Sequence, residues 1–63
     1  MTPMQRYEWA TSPEGWLTAA GWERLAEDLD SVEVRWLACT PFAQKLTDRA
    51  ADCRARAARM VAQ

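Results

Sequence analysis

Histidine is absent from this 63-residue chain, and with it go the commonest general base and the imidazole of nucleophilic triads. Cysteine is scarce: Cys39 and Cys53 stand alone, with no third or fourth soft ligand to close a zinc site. Glycine is limited to Gly15 and Gly21, too few for a phosphate-cradling loop. No apolar run approaches the roughly 18 residues of a membrane span. The opening Met-Thr-Pro-Met-Gln-Arg is not followed by the run of about 7 to 15 apolar residues of a secretory leader. These absences argue for a non-enzymatic protein with no metal, no cofactor and no membrane partner, and two widely spaced cysteines fit a reducing, cytoplasmic setting.

Charge is present but unevenly placed. Residues 1 to 34 hold two cations, Arg6 and Arg24, against seven acids, a balance of −5. The remainder holds six cations against Asp48 and Asp52, a balance of +4. A net charge of −1 therefore conceals an acidic half and a basic half, each able to neutralise the other or to face a charged partner. The four tryptophans, Trp9, Trp16, Trp22 and Trp36, bring the bulk that an alanine-rich chain otherwise lacks. Most are expected in the core, although Trp and Arg also dominate binding hot spots. So short a chain buries only about 60% of its unfolded surface, which makes self-association an open route to stability.

Each proline follows a hydroxyl residue: Thr2-Pro3, Ser12-Pro13 and Thr40-Pro41. A Ser or Thr side chain accepts from the free amides of a first helical turn, and Pro tolerates the first helical position. All three pairs thus read as helix starts, the first reinforced by Gln5 as a capping box. Between them, Trp22, Leu25, Leu29, Val32, Trp36 and Cys39 repeat at intervals of 3 and 4, a heptad seam on one helix. Thr18 is available to cap it if Gly21 separates it from the preceding turn, and Asp30-Ser31 is a place where it could break. From Pro41, Phe42, Leu46, Ala50, Cys53, Ala57 and Met60 or Val61 follow a helical period.

The expected fold is all-α and a single small domain over residues 1–63. An acidic helix over 18–39 and a basic helix over 41–62 form an antiparallel hairpin, with the short helical turns of an N-terminal docking segment, 1–17, packed across it. In that hairpin Cys39 sits at the turn and Cys53 twelve residues past Pro41, roughly 18 Å along the helix. A disulfide needs Cα atoms within about 7 Å, so both thiols read as small buried hydrophobes. The docking segment is too short to stand alone. Val34 and Leu37, on a second strip of the central helix, offer it a seat, and a second chain is the alternative occupant.

Two local patterns stand out. Ser12-Pro13-Glu14-Gly15-Trp16 and Thr18-Ala19-Ala20-Gly21-Trp22 form a near-repeat of six residues, with too few copies for a repeat architecture. The stretch from Leu17 to Leu29, opening Leu17-Thr18-Ala19-Ala20-Gly21, resembles the Leu-Thr-x-x-Gly helix start of the coiled-coil domain in bacterial transcript-cleavage elongation factors. A similar phrase follows the wing of winged-helix regulators. The resemblance covers thirteen residues and implies a shared helix start; the acidic tip of the elongation factors has no counterpart, and the chain is too short for either fold.

Two functional readings follow from the charge split. In the first, Glu23, Glu27, Asp28, Asp30 and Glu33 form an acidic face, with Trp9, Trp16, Val34 and Leu37 as apolar anchors for a protein partner. That partner is expected to be a nucleic-acid-handling complex which this chain inhibits or adapts, the acids competing with nucleic acid for its basic groove. Small inhibitors encoded by mobile elements are similar in size and charge layout. In the second, Lys45, Arg49, Arg54, Arg56 and Arg59 on the last helix bind DNA or RNA phosphates directly. The slightly acidic total weighs against it.

Overall fold

In the computed structural model, residues 2–32 and 41–62 are described. They form three helices: α1, Pro3–Thr11; α2, Ala19–Val32; and α3, Pro41–Ala62. The capping box opens α1: Thr2 Oγ1 accepts from the Gln5 amide at 3.1 Å while the Thr2 amide donates to Gln5 Oε1 at 2.9 Å. Thr18 opens α2, its Oγ1 accepting from the Gly21 amide at 3.1 Å and its carbonyl from the Trp22 amide at 2.9 Å. Gly21 therefore lies within the first turn of α2 and does not interrupt it. Nor does Asp30-Ser31, since α2 runs through to Val32.

Ser12-Pro13 corrects one expectation, because the pair closes a helix instead of starting one. Ser12 is the C-cap of α1, its hydroxyl donating to the Trp9 carbonyl at 2.6 Å and its amide donating to the same oxygen at 3.1 Å. Both donors are spent on satisfying the end of α1. The chain then turns at Pro13 and Glu14, where the Gly15 amide donates to the Ser12 carbonyl at 3.0 Å. Gly15 has no positive φ; its requirement is space. A Cβ there would overlap the Trp9 carbonyl oxygen and crowd the carbonyl carbon of Ala10 at 2.7 Å.

α2 and α3 fold back as an antiparallel hairpin, with Trp22 beside Arg56 toward one end and Asp30 beside Arg54 further along. Their joint core is Trp22, Leu25 and Leu29 from the seam of α2, against Leu46, Ala50, Cys53 and Ala57 from α3, all buried. Ala26 and Ala43 are also buried; they lie off the two stripes that bulk alone picks out. Phe42, Met60 and Val61, at the two ends of the α3 stripe, are exposed.

α1 lies against both helices of the hairpin. Met4 meets Arg49, Tyr7 meets Asp52, and Ala10 joins the buried cluster, so α1 ascends alongside α3. Arg6 pairs with Asp28 at 3.2 Å and the rings of Tyr7 and Trp22 meet edge to face at 6.5 Å. The expected seat for this segment, Val34 and Leu37, lies outside the described residues, as do Glu33, Trp36, Cys39 and Thr40.

Candidate functional site

The cations of α3 separate onto two sides of the helix. On the side facing α1, the Arg49 guanidinium sits 5.3 Å from the centre of the Tyr7 ring and touches the Met4 sulfur at 3.3 Å. About two turns further on, Arg56 stacks over Trp22 at 5.0 Å while its Nε donates to Asp52 Oδ2 at 2.8 Å. The same carboxylate oxygen accepts from the Tyr7 hydroxyl at 2.9 Å, so Asp52 ties α1 to α3 and holds Arg56 on its ring. On the far side, Arg54 is ion-paired with Asp30 of α2, which holds the guanidinium more firmly protonated than usual. Lys45 and Arg59 are exposed, and the bond from Arg59 Nε to the Ala55 carbonyl is long, at 3.4 Å.

The acids divide likewise. Asp28 and Asp30 are taken up by Arg6 and Arg54, whereas Glu23 and Glu27 are exposed and make no ion pair among the described residues. These two, with Arg54 and Ala58, line a shallow groove of about 370 Å³ on the side of the hairpin away from α1.

A second groove, of about 420 Å³, opens where the loop between α1 and α2 passes the end of α3. Leu17, Trp22 and Met60 line it, Trp16 stands at its edge, and Arg56 and Arg59 supply its charge. Trp16 is 69% exposed and Trp9 44%, against 5% for Trp22. Sequence reasoning named Trp16 and Arg59 but did not bring them together, because Met60 reads as one more core residue of the α3 stripe. The signal available was the position of Met60 and Val61 past the last residue of α3 that α2 can cover.

Chemically reactive groups are few. Cys53 is a free, fully buried thiol whose pKa is pushed up to about 11 by burial, with the Asp52 charge adding to it; such a thiol is a poor nucleophile. Burial and the bond to Asp52 raise the Tyr7 hydroxyl as well. Among the described residues no cluster of three or more His, Cys, Asp or Glu is placed to hold a metal ion, and no helix is long and apolar enough to cross a membrane. The described residues form three helices, with mixed polar and apolar grooves beside Glu23 and Glu27 and beside Trp16, and a more apolar one where Thr2, Pro3 and Met4 meet Phe42 and Leu46. The chain matches no family model, no curated protein and no solved structure.

Proposed function

We propose that this chain acts by binding another protein, with the exposed carboxylates of α2 as the recognition surface and no catalytic step. The observation that supports it is the unequal engagement of the two charge sets. Of the five α3 cations in the nucleic-acid reading, Arg49, Arg54 and Arg56 are already held by Tyr7, Asp30, Asp52 and Trp22, whereas Glu23 and Glu27 face solvent with no ion pair among the described residues. A phosphate backbone would have to displace bonds the protein already makes; a cationic protein surface would have no direct ion pair of Glu23 or Glu27 to break among the described residues. The nucleic-acid-handling complex of the inhibitor reading carries such a surface, and a compact acidic helix face suits competition with nucleic acid for it.

The test is quantitative affinity purification from the source cell with matched variants. Glu23→Lys combined with Glu27→Lys is expected to deplete the partner by at least about tenfold, while Lys45→Glu combined with Arg59→Glu leaves it bound. Added DNA or RNA should release the captured partner. Direct nucleic-acid binding predicts the reverse: a gel shift by the pure protein that weakens steeply with salt and is lost in the Lys45/Arg59 variant. An acidic double variant that captures its partner undiminished would remove the basis for the proposal.

A further inference from the structure

We propose that the Trp16 groove is the contact surface between two copies of this chain, related by a twofold axis, each indole entering the other copy's groove. This goes beyond the protein-binding reading and concerns a different side of the hairpin, so either can fail without the other. The case rests on what one patch contains. Trp16 lines the groove yet keeps 69% of its surface exposed, so its indole has area left for a partner, and the groove, at about 420 Å³, lies within the roughly 300 to 1,000 Å³ of a ligand site. Leu17, Trp22 and Met60 supply the apolar part of a lining to which Arg56 and Arg59 add a polar part of similar extent. Met60 and its neighbour Val61, the latter 74% exposed, extend the apolar area along the end of α3.

The charges decide the occupant. Arg59 lines the groove with little to hold it, and Glu14, two residues before Trp16 in the same loop, is exposed and makes no ion pair among the described residues. A twofold interface requires a self-complementary surface, in which residue i meets j and j meets i. An apolar anchor, an apolar socket, one acid and one cation together satisfy that condition: Trp16 meets the Leu17–Met60 lining and Glu14 meets Arg59, each pairing made twice.

Sedimentation equilibrium over about a hundredfold range of concentration is expected to show the full chain passing from one copy to two. Trp16→Ala should remain a single copy throughout with unchanged helical circular dichroism, since an exposed indole contributes little to the fold. Glu14→Arg alone and Arg59→Glu alone should each weaken association by about tenfold or more, as like charges then meet twice. Mixed in equal amounts they should associate with each other as well as the original does, because both opposite-charge pairs are restored in the mixed dimer. A wild-type chain that stays single at every concentration overturns the proposal. So does a dimer indifferent to Trp16→Ala, or a mixture of the two charge variants that associates no better than either alone.

Discussion

The two helix interfaces in this molecule are built from different chemistry. Between α2 and α3 the contact is apolar, with Leu25, Leu29, Leu46 and Cys53 fully buried. Between α1 and the hairpin only Ala10 of α1 is buried, Met4 and Tyr7 are partly buried against the core, and polar clasps add the rest: Arg6 to Asp28, Tyr7 to Asp52, Arg49 over Tyr7. Apolar burial stabilises in proportion to area and is not weakened by the screening that salt imposes on charges. Partly exposed ion pairs and hydrogen bonds contribute about 1 kcal/mol or less each. The hairpin should therefore be the cooperative unit, and α1 an attachment that opens at lower free energy.

The largest break in that comparison comes from the hairpin side. Leu25→Ala removes a side chain that α2 buries completely and should cost about 3 kcal/mol in urea unfolding, lowering amide protection in all three helices together. A second test of the same interface uses pH. Cys53 ionises at about 11 in the folded chain against 9.0 without burial. Below pH 9.0 the thiol is protonated in both states and contributes no pH dependence; between 9.0 and 11 the unfolded chain releases its proton first, so stability falls. The loss should reach about 2 to 3 kcal/mol, and Cys53→Ala should remove that part of the slope, leaving the fall that Tyr7, raised from 10.0 by burial and the bond to Asp52, adds from pH 10.0 upward.

On the α1 side the effects shrink. Gly15→Ala drives a methyl group into the Trp9 carbonyl, and since that atom is backbone, α1 must shift; about 2 kcal/mol is expected. Loss of protection should be greatest in Pro3–Thr11. Gly21→Ala is the control, because its Cβ would meet Leu17 Cδ2 at 3.3 Å, a methyl that can swing aside. Removing glycine from a helix also gains up to about 1 kcal/mol, so the net change should be near zero. Tyr7→Phe removes the bond to Asp52 at 2.9 Å while Arg56 still satisfies the carboxylate; about 1 kcal/mol, confined to α1, is the expected cost.

The same contrast explains what could be read from the sequence. The hairpin was legible because period carries it: Trp22, Leu25 and Leu29 recur at helical intervals, and Leu46, Ala50, Cys53 and Ala57 answer them. Burial then follows from shape alone. The docking of α1 rests on a short stripe, Met4, Tyr7 and Ala10, too brief to name its seat, and Tyr7, Arg6 and Met4 find their polar partners 22 to 45 residues away through groups that any surface residue carries. The near-repeat shows the limit most clearly. Ser12 and Thr18 each precede a glycine by three and a tryptophan by four, yet one ends a helix and the other begins one. Trp16 consequently faces solvent and Trp22 the core. What separates them is which backbone already stands nearby: the last turn of α1 takes Ser12 for its cap, while nothing competes for Thr18. The candidate site depends on that difference, and six residues of local pattern do not contain it.

The smallest effect expected concerns Asp28, and it bears on function as much as on stability. Its carboxylate pairs with Arg6 at 3.2 Å with both side chains more than a third exposed, so the pair is worth about 0.5 kcal/mol at most and less in salt. Asp28→Asn should leave the unfolding midpoint within error of the original while modestly raising exchange in α1. Asp28 also belongs to the acidic face proposed to meet a partner. If α1 closes over it as described, Asp28 is engaged by its own chain, and Asp28→Asn should change partner capture far less than Glu23→Gln or Glu27→Gln. Equal losses from all three would mean that Arg6 yields the carboxylate to the partner. The polar interface would then be an exchangeable one, with α1 released as the partner binds.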